Sequence, residues 1–244
     1  MLVRLPCRQI FATDRLVALT NEVLSCSLKT VKNPFRRSGW LWALMVAVLT
    51  VGAQDAPKTV VVLGDSIAAG AGVEPSEAYP ALLQEKIKAA GLNFTVVNAG
   101  VSGDTSADGL NRINWLLRRP IDVLVLELGG NDGLRGVPVS TTETNLQTII
   151  DRVKQKYPAA RVVIAGMQMP KNMGEDYTTA FKNIFPALAK RNHAALVPFL
   201  LEGVGGRPEL NQPDHIHPTA AGHRIVAENV WKVLEPVLTG GSPK

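Results

Sequence analysis

Cysteine is almost missing from this 244-residue chain, and its two copies, Cys7 and Cys26, both precede Thr30. No thiol follows, so the rest of the chain forms no disulfide, offers no cysteine to a lipid, and must be held by its core alone. An excess of one charge is missing as well. The formal charge of +5 belongs to residues 1–53, which hold seven of the 26 Lys and Arg but only two of the 21 Asp and Glu. Residues 54–244 therefore carry nineteen of each sign. With aromatics at only 5% and no basic stripe interleaved with them, this balance argues against a nucleic-acid partner and suits small or neutral ligands. The apolar run Trp40 to Val51 is shorter than the ~20 residues that span a bilayer, so an uncleaved anchor is not expected.

What residues 1–53 do contain is an export pattern. Arg36-Arg37 precedes the apolar run and Val51-Gly52-Ala53 follows it, within a signal segment read over 40–53. The order predicts cleavage after Ala53 and an exported, periplasmic or secreted protein without a stable membrane span. Residues 1–30 add no usable pattern, and a start near Val31 gives the conventional arrangement. The rest, 54–238, is expected to form one domain, because a chain of this length buries about 70% of its unfolded surface in a single core. Residues 239–244 read as a disordered tail. Oligomeric state is not legible.

Along the domain, apolar runs alternate with amphipathic ones. Strands are predicted at Thr59 to Leu63, Phe94 to Asn98, Val123 to Leu128, Arg161 to Ala165 and Ala195 to Val197. Helices are predicted at Tyr79 to Ala90, Thr105 to Leu117, Thr141 to Lys156, Asp176 to Arg191 and Pro218 to Val237. Five strands separated by helices imply a three-layer α/β/α, doubly wound parallel sheet with right-handed crossovers. In such sheets ligands bind beyond the carboxyl ends of the strands. Polar residues stand at three of those ends: Gly64-Asp65-Ser66, Gly103-Asp104 and Gly129-Gly130-Asn131-Asp132.

Ser66 offers a nucleophile, but a serine hydroxyl attacks a carbonyl only when a histidine takes its proton and a carboxylate holds that histidine's tautomer. Asp214-His215-Ile216-His217-Pro218 supplies both, since Asp214 reaches His217 if the segment turns. Alone, each motif has a plainer meaning. Ser66 can be a helix cap, its surroundings are not a G-x-S-x-G elbow because Ala68 replaces the last glycine, and Asp214 with two histidines also suits a metal. Gly103 and Asn131 are candidate oxyanion donors, or simple turn residues. His193 reads as a solvated helix end and His223 as a surface residue of the last helix. Asp104 and Glu127 are read as orienting nearby backbone or Arg135.

The ordered set, with Asn98 to Thr105 and Glu127 to Gly136 between its ends, resembles the SGNH hydrolases, also called GDSL esterases and lipases, from about Thr59 to Val237. The nearest likeness is to the bacterial exported arylesterase, thioesterase and lysophospholipase group. That resemblance implies a flavodoxin-like fold and a serine esterase or thioesterase without cofactor or metal. It also implies an acyl-enzyme on Ser66, with Asp214 and His217 completing the triad and the Ser66 amide, Gly103 and Asn131 forming the oxyanion hole. The substrate would be a small-molecule ester or thioester. A carbohydrate O-acetyl esterase of the same fold is the main alternative; a metal-dependent hydrolase and a non-catalytic exported binding domain are more distant ones.

Two positions depart from the family pattern: Ile67 replaces its leucine, and His215 stands where glycine is usual, a strained choice if the turn needs positive φ. Leu134, Met167, Met169, Tyr177 and Phe199 are expected to line a substrate pocket, with Met173 nearby. The loop Leu134 to Ser140, with Gly133 and Gly136 as candidate hinges, reads either as a segment that closes over it or as a surface turn.

Overall fold

The computed structural model describes residues 56–241; the expected export leader and residues 242–244 lie outside them. Five parallel strands, β1 (Lys58–Gly64), β2 (Phe94–Gly100), β3 (Val123–Glu127), β4 (Arg161–Ala165) and β5 (Ala195–Val197), form one sheet in the order β2-β1-β3-β4-β5. This is the doubly wound, flavodoxin-like order, in which the chain reverses direction across the sheet between β1 and β3. Among the described residues seven helices connect and cover the strands: α1 (Ser66–Ala69), α2 (Tyr79–Ala89), α3 (Ser106–Leu116), α4 (Gly130–Leu134), α5 (Val139–Lys156), α6 (Glu175–Asn192) and α7 (Ala220–Leu238). α2 packs on α7, while α5 packs on both α3 and α6, so the long helices fall into the two outer layers that right-handed crossovers demand.

Burial follows position in the sheet. Every residue of the central strand β3 is buried, as its unbroken apolar run predicts, whereas the edge strand β2 leaves Val97 exposed. Each fully buried aliphatic side chain, such as Leu124 or Ile149, contributes about 1.5–3 kcal/mol through the apolar surface it removes from water. Helix ends are set locally. The Thr105 hydroxyl and the Asp108 carboxylate cap α3 reciprocally, Pro80 occupies the first turn of α2, and the Thr219 side chain accepts from Gly222 N–H to open α7.

The long elements lie within two residues of their predicted bounds. The short ones, α1, α4 and the 3₁₀ turns Lys171–Met173 and Pro208–Leu210, are too brief to show a period. One of them corrects the lid reading. Leu134 ends α4 and α5 starts at Val139, so only Arg135 to Pro138 is irregular, and Val137 is pinned there by its N–H to Asp132 O (3.0 Å) and by the Tyr177 hydroxyl on its carbonyl (2.9 Å). Gly133 is no hinge. It lies inside α4, where a Cβ would meet Met169 Sδ at 2.2 Å, so the glycine makes room for close packing. At the chain end Thr239 and Gly241 donate to Glu235 O and Pro236 O and close α7, while the rest of the expected tail lies outside the described residues.

Candidate active site

β1 ends at Gly64, and the chain enters α1 through Asp65, whose Oδ1 accepts the Ile67 N–H at 3.0 Å. This cap holds Ser66 at the carboxyl end of the strand, nearly buried, with its hydroxyl toward the loop between β5 and α7. That loop is built around Asp214. Asp214 Oδ1 accepts the N–H groups of Ile216 (2.9 Å) and His217 (3.0 Å), while Oδ2 meets His217 Nδ1 at 2.6 Å. On the other side of the ring, His217 Nε2 lies 2.9 Å from Ser66 Oγ. The three residues form a continuous serine, histidine, carboxylate relay. The hydrogen bonds to His217 and the backbone hold the Asp214 carboxyl far below the ordinary carboxylate range, so it is an anion in the folded protein at neutral pH.

The loop is anchored from outside the triad. Gln212 Nε2 donates to Ala71 O (2.7 Å) and Pro218 O (3.1 Å), and a Cβ at Gly72 would meet the Gln212 amide oxygen at 2.1 Å. His215 does adopt the positive φ suspected from the sequence, at 60°. Its N–H donates to Gln212 O (2.9 Å), which supports the turn, and Asp214 still reaches His217.

Asn131, in the first turn of α4, donates through Nδ2 to Asp104 O at 3.0 Å and lies 3.5 Å from Asp65 Oδ2. α4 itself is fastened to α3 by buried Asp132, which accepts from Ser106 N–H (2.7 Å) and Ser106 Oγ (2.5 Å). Gly103 has φ 86°, a left-handed conformation that side chains rarely take, although space for a Cβ is available. Its N–H meets no acceptor among the described residues, while its carbonyl accepts from Arg135 Nη2 at 3.0 Å. The carboxylate of Asp104 pairs with Arg112 Nε at 2.6 Å, not with Arg135, and Arg112 also donates to Gly64 O (3.1 Å).

A cavity of about 470 Å³ opens beside this relay. Ser66, Asn131 and His217 face it, and Leu134, Met167, Met169 and Phe199 line it as expected. Gly103 and Tyr177 do not. Tyr177 turns its hydroxyl to Val137 O and stacks on Phe181 at 6.1 Å, so it is a packing residue. His215 and the exposed Ile216 join the lining, as do Leu201 and the Gly205-Gly206 pair. Leu201 shares with Phe199 the position after β5 and was open to the same inference.

His193 is the exposed, left-handed cap of α6, as expected. His223 is not on the surface: it is fully buried, and its Nδ1 accepts the Tyr79 N–H at 3.3 Å. Burial lowers its pKa to about 4, so it is neutral in the folded protein at neutral pH. Among the described residues no group of three His, Cys, Asp or Glu side chains is arranged to hold a metal, and both ring nitrogens of His217 are engaged in the relay.

Residues 62–225 match the family described as GDSL-like lipase/acylhydrolase. The chain is 42% identical to esterase TesA of Pseudomonas aeruginosa over 79% of its own length and 96% of that protein. It is 39% identical to thioesterase 1/protease 1/lysophospholipase L1 of Escherichia coli, over 86% of this chain and 98% of the relative. Among solved structures it is similar to the psychrotrophic esterase EstA from Pseudoalteromonas sp., inhibited by monoethylphosphonate, with a TM-score of 0.70 and 29% identity over 75% of this chain and 99% of that one.

Proposed function

The chain belongs to the GDSL-like lipase/acylhydrolase family of serine hydrolases, and from that premise we propose that it cleaves carboxylic esters or thioesters through an acyl-enzyme on Ser66. The observation that carries this reading is the relay in which Ser66 Oγ stands 2.9 Å from His217 Nε2 and His217 Nδ1 stands 2.6 Å from Asp214 Oδ2. Asp214 fixes the proton on Nδ1, so Nε2 is the basic nitrogen. It takes the Ser66 proton as Oγ bonds to the carbonyl carbon, then gives that proton to the departing alcohol or thiol. Water, deprotonated by the same nitrogen, attacks the acyl carbon; the bond to Oγ breaks, Ser66 regains its proton, and a carboxylic acid leaves.

The oxyanion needs donors already aimed at it. The N–H groups of Ser66 and Gly103 meet no acceptor among the described residues, and Asn131, which donates to Asp104 O, gives its other amide N–H only a long 3.5 Å bond to Asp65 Oδ2 that an oxyanion would replace. These three are the proposed donors. The apolar lining by Leu134, Met167, Met169, Phe199 and Leu201 supports an acyl chain in the cavity over a sugar-borne acetyl group. The names of the relatives, esterase and thioesterase/lysophospholipase, support the same substrate class.

Ser66→Ala tests the assignment: turnover of a series of nitrophenyl esters and an acyl-CoA is expected to vanish, and retained turnover overturns it. Export is a separate proposal, resting on the basic, apolar and small-residue order before Gln54. Sequencing the N-terminus of the mature protein checks it, with Gln54 the expected first residue. No helix among the described residues is long and apolar enough to cross a membrane.

A further inference from the structure

Glu127, the last residue of β3, is fully buried against the turn that carries Asp65 and Ser66 and takes no part in the relay. Its Oε2 accepts the Asp65 N–H at 3.2 Å, and the Ala68 amide bears on the same carboxyl group. Gly64 is glycine because of it, since a Cβ there would stand 2.1 Å from Oε2. The amides entering α1 can now be followed one by one. Asp65 turns to Glu127, Ile67 to Asp65 Oδ1, and Ala69 to Asp65 O, which leaves Ser66 N–H without an acceptor among the described residues.

We infer that Glu127 is a positioning residue for the oxyanion hole: its carboxyl group takes the Asp65 amide before Ser66 and braces Asp65, whose side chain takes the Ile67 amide after it, so that of these amides the one of Ser66 stays open to substrate. The inference rests on the reading of Ser66 as nucleophile and of its amide as an oxyanion donor. The clamp is a pair of acids. The bond from Asp65 N–H sets the buried Glu127 carboxyl against buried Asp65, and two carboxylates so placed out of water disfavour both being charged, which raises the pKa of both. Glu127 is the deeper of the two. Burial and the neighbouring Asp65 charge push its carboxyl well above the ordinary range, and its Oε1 meets no partner among the described residues. The protonated Glu127 donates to Asp65, whose carboxylate in turn caps Ile67 and stands 3.5 Å from Asn131 Nδ2. One buried acid thereby bears on two of the proposed oxyanion donors.

The test compares Glu127→Leu, Glu127→Asp and Glu127→Gln with the wild type, measuring kcat and KM on a nitrophenyl ester and the rate at which a fluorophosphonate labels Ser66. Glu127→Leu is expected to lower kcat and the labelling rate about tenfold or more, with KM changed less than about threefold, because the donors act on the transition state. Glu127→Asp, which withdraws the acid by one methylene, shows the same loss and carries the test if the leucine variant does not fold. Glu127→Gln reproduces the protonated acid, accepting amides and donating to Asp65, and is expected to restore both rates to within about threefold of wild type. Wild-type rates in Glu127→Asp and in any folded Glu127→Leu overturn the inference, as does a glutamine variant no better than the aspartate. Failure of the fluorophosphonate to label Ser66 in the wild type overturns instead the reading of Ser66 on which it rests.

Discussion

Asp214 holds His217 at two places at once, through the ring Nδ1 at 2.6 Å and through the backbone N–H at 3.0 Å. Ring and main chain are thus oriented by a single carboxylate, and its removal differs in effect from the loss of an ordinary ion pair. Asp214→Asn keeps an acceptor for the backbone but no longer selects the Nδ1–H tautomer. We expect kcat to fall by roughly 10³ to 10⁴-fold, with unchanged far-UV circular dichroism. Because the carboxyl is depressed in the folded state, its contribution to stability is present above the unfolded value near 3.8 and is lost as pH falls through the lower, folded one.

Asn131→Ala removes a proposed oxyanion donor while leaving the relay in place. A fall of roughly 10²-fold in kcat, with KM little changed, is expected. Steady-state kinetics on one nitrophenyl ester decide it, and an effect confined to KM counts against the role.

His223 gives a pH signature of stability, not of catalysis. Its folded pKa of about 4 lies below the ordinary 6.5, so between those values the unfolded chain binds the extra proton. Stability therefore falls as pH drops from 6.5 toward 4, by up to roughly 3 kcal/mol from this group. Urea unfolding at neutral and mildly acid pH measures the loss. His223→Gln, which still accepts from the Tyr79 amide, is expected to show a shallower decline.

His215 sits at φ 60°, where glycine rests without strain and a β-branched residue does not. His215→Gly is expected to raise stability by up to about 1 kcal/mol, whereas His215→Val lowers it by about 1–2 kcal/mol. Thermal unfolding compares the two, and equal melting points would show that the turn imposes no such demand.

Phe199→Ala is expected to enlarge the cavity and move the preferred acyl chain to greater length in a nitrophenyl ester series. Tyr177→Phe is the matched control. Its hydroxyl serves Val137 O outside the cavity, so the chain-length profile stays put while stability falls by about 1 kcal/mol.

The contact of Ser66, His217 and Asp214, the proposed triad, was legible because its informative parts are local. Gly64-Asp65-Ser66 and Asp214 to His217 are each a few residues long, and each folds as a turn that its own side chains stabilise. Residues whose roles depend on distant partners were less legible. Tyr177 has the composition of a pocket residue yet turns to a carbonyl 40 positions away, and His223 becomes a buried acceptor for an amide 144 positions away. Asp104 and Arg112 are only 8 apart, but which arginine would meet that carboxylate depends on how α3 lies against the end of β1.

By itself the sequence determined the kind and order of the elements, since apolar period, caps and turn residues act over a few positions whatever surrounds them. It also placed Ser66, Asn131, Asp214 and His217 after strands or in the late loop, and the doubly wound topology brings such places to one edge of the sheet. Only the tertiary structure decided which side chains face the cavity, which amides stay open and which acid lies buried against the turn before Ser66. Those outcomes depend on contacts across the sheet, where Glu127 on β3 meets Asp65 on the adjoining turn 62 positions earlier, and no local pattern encodes a meeting of that kind.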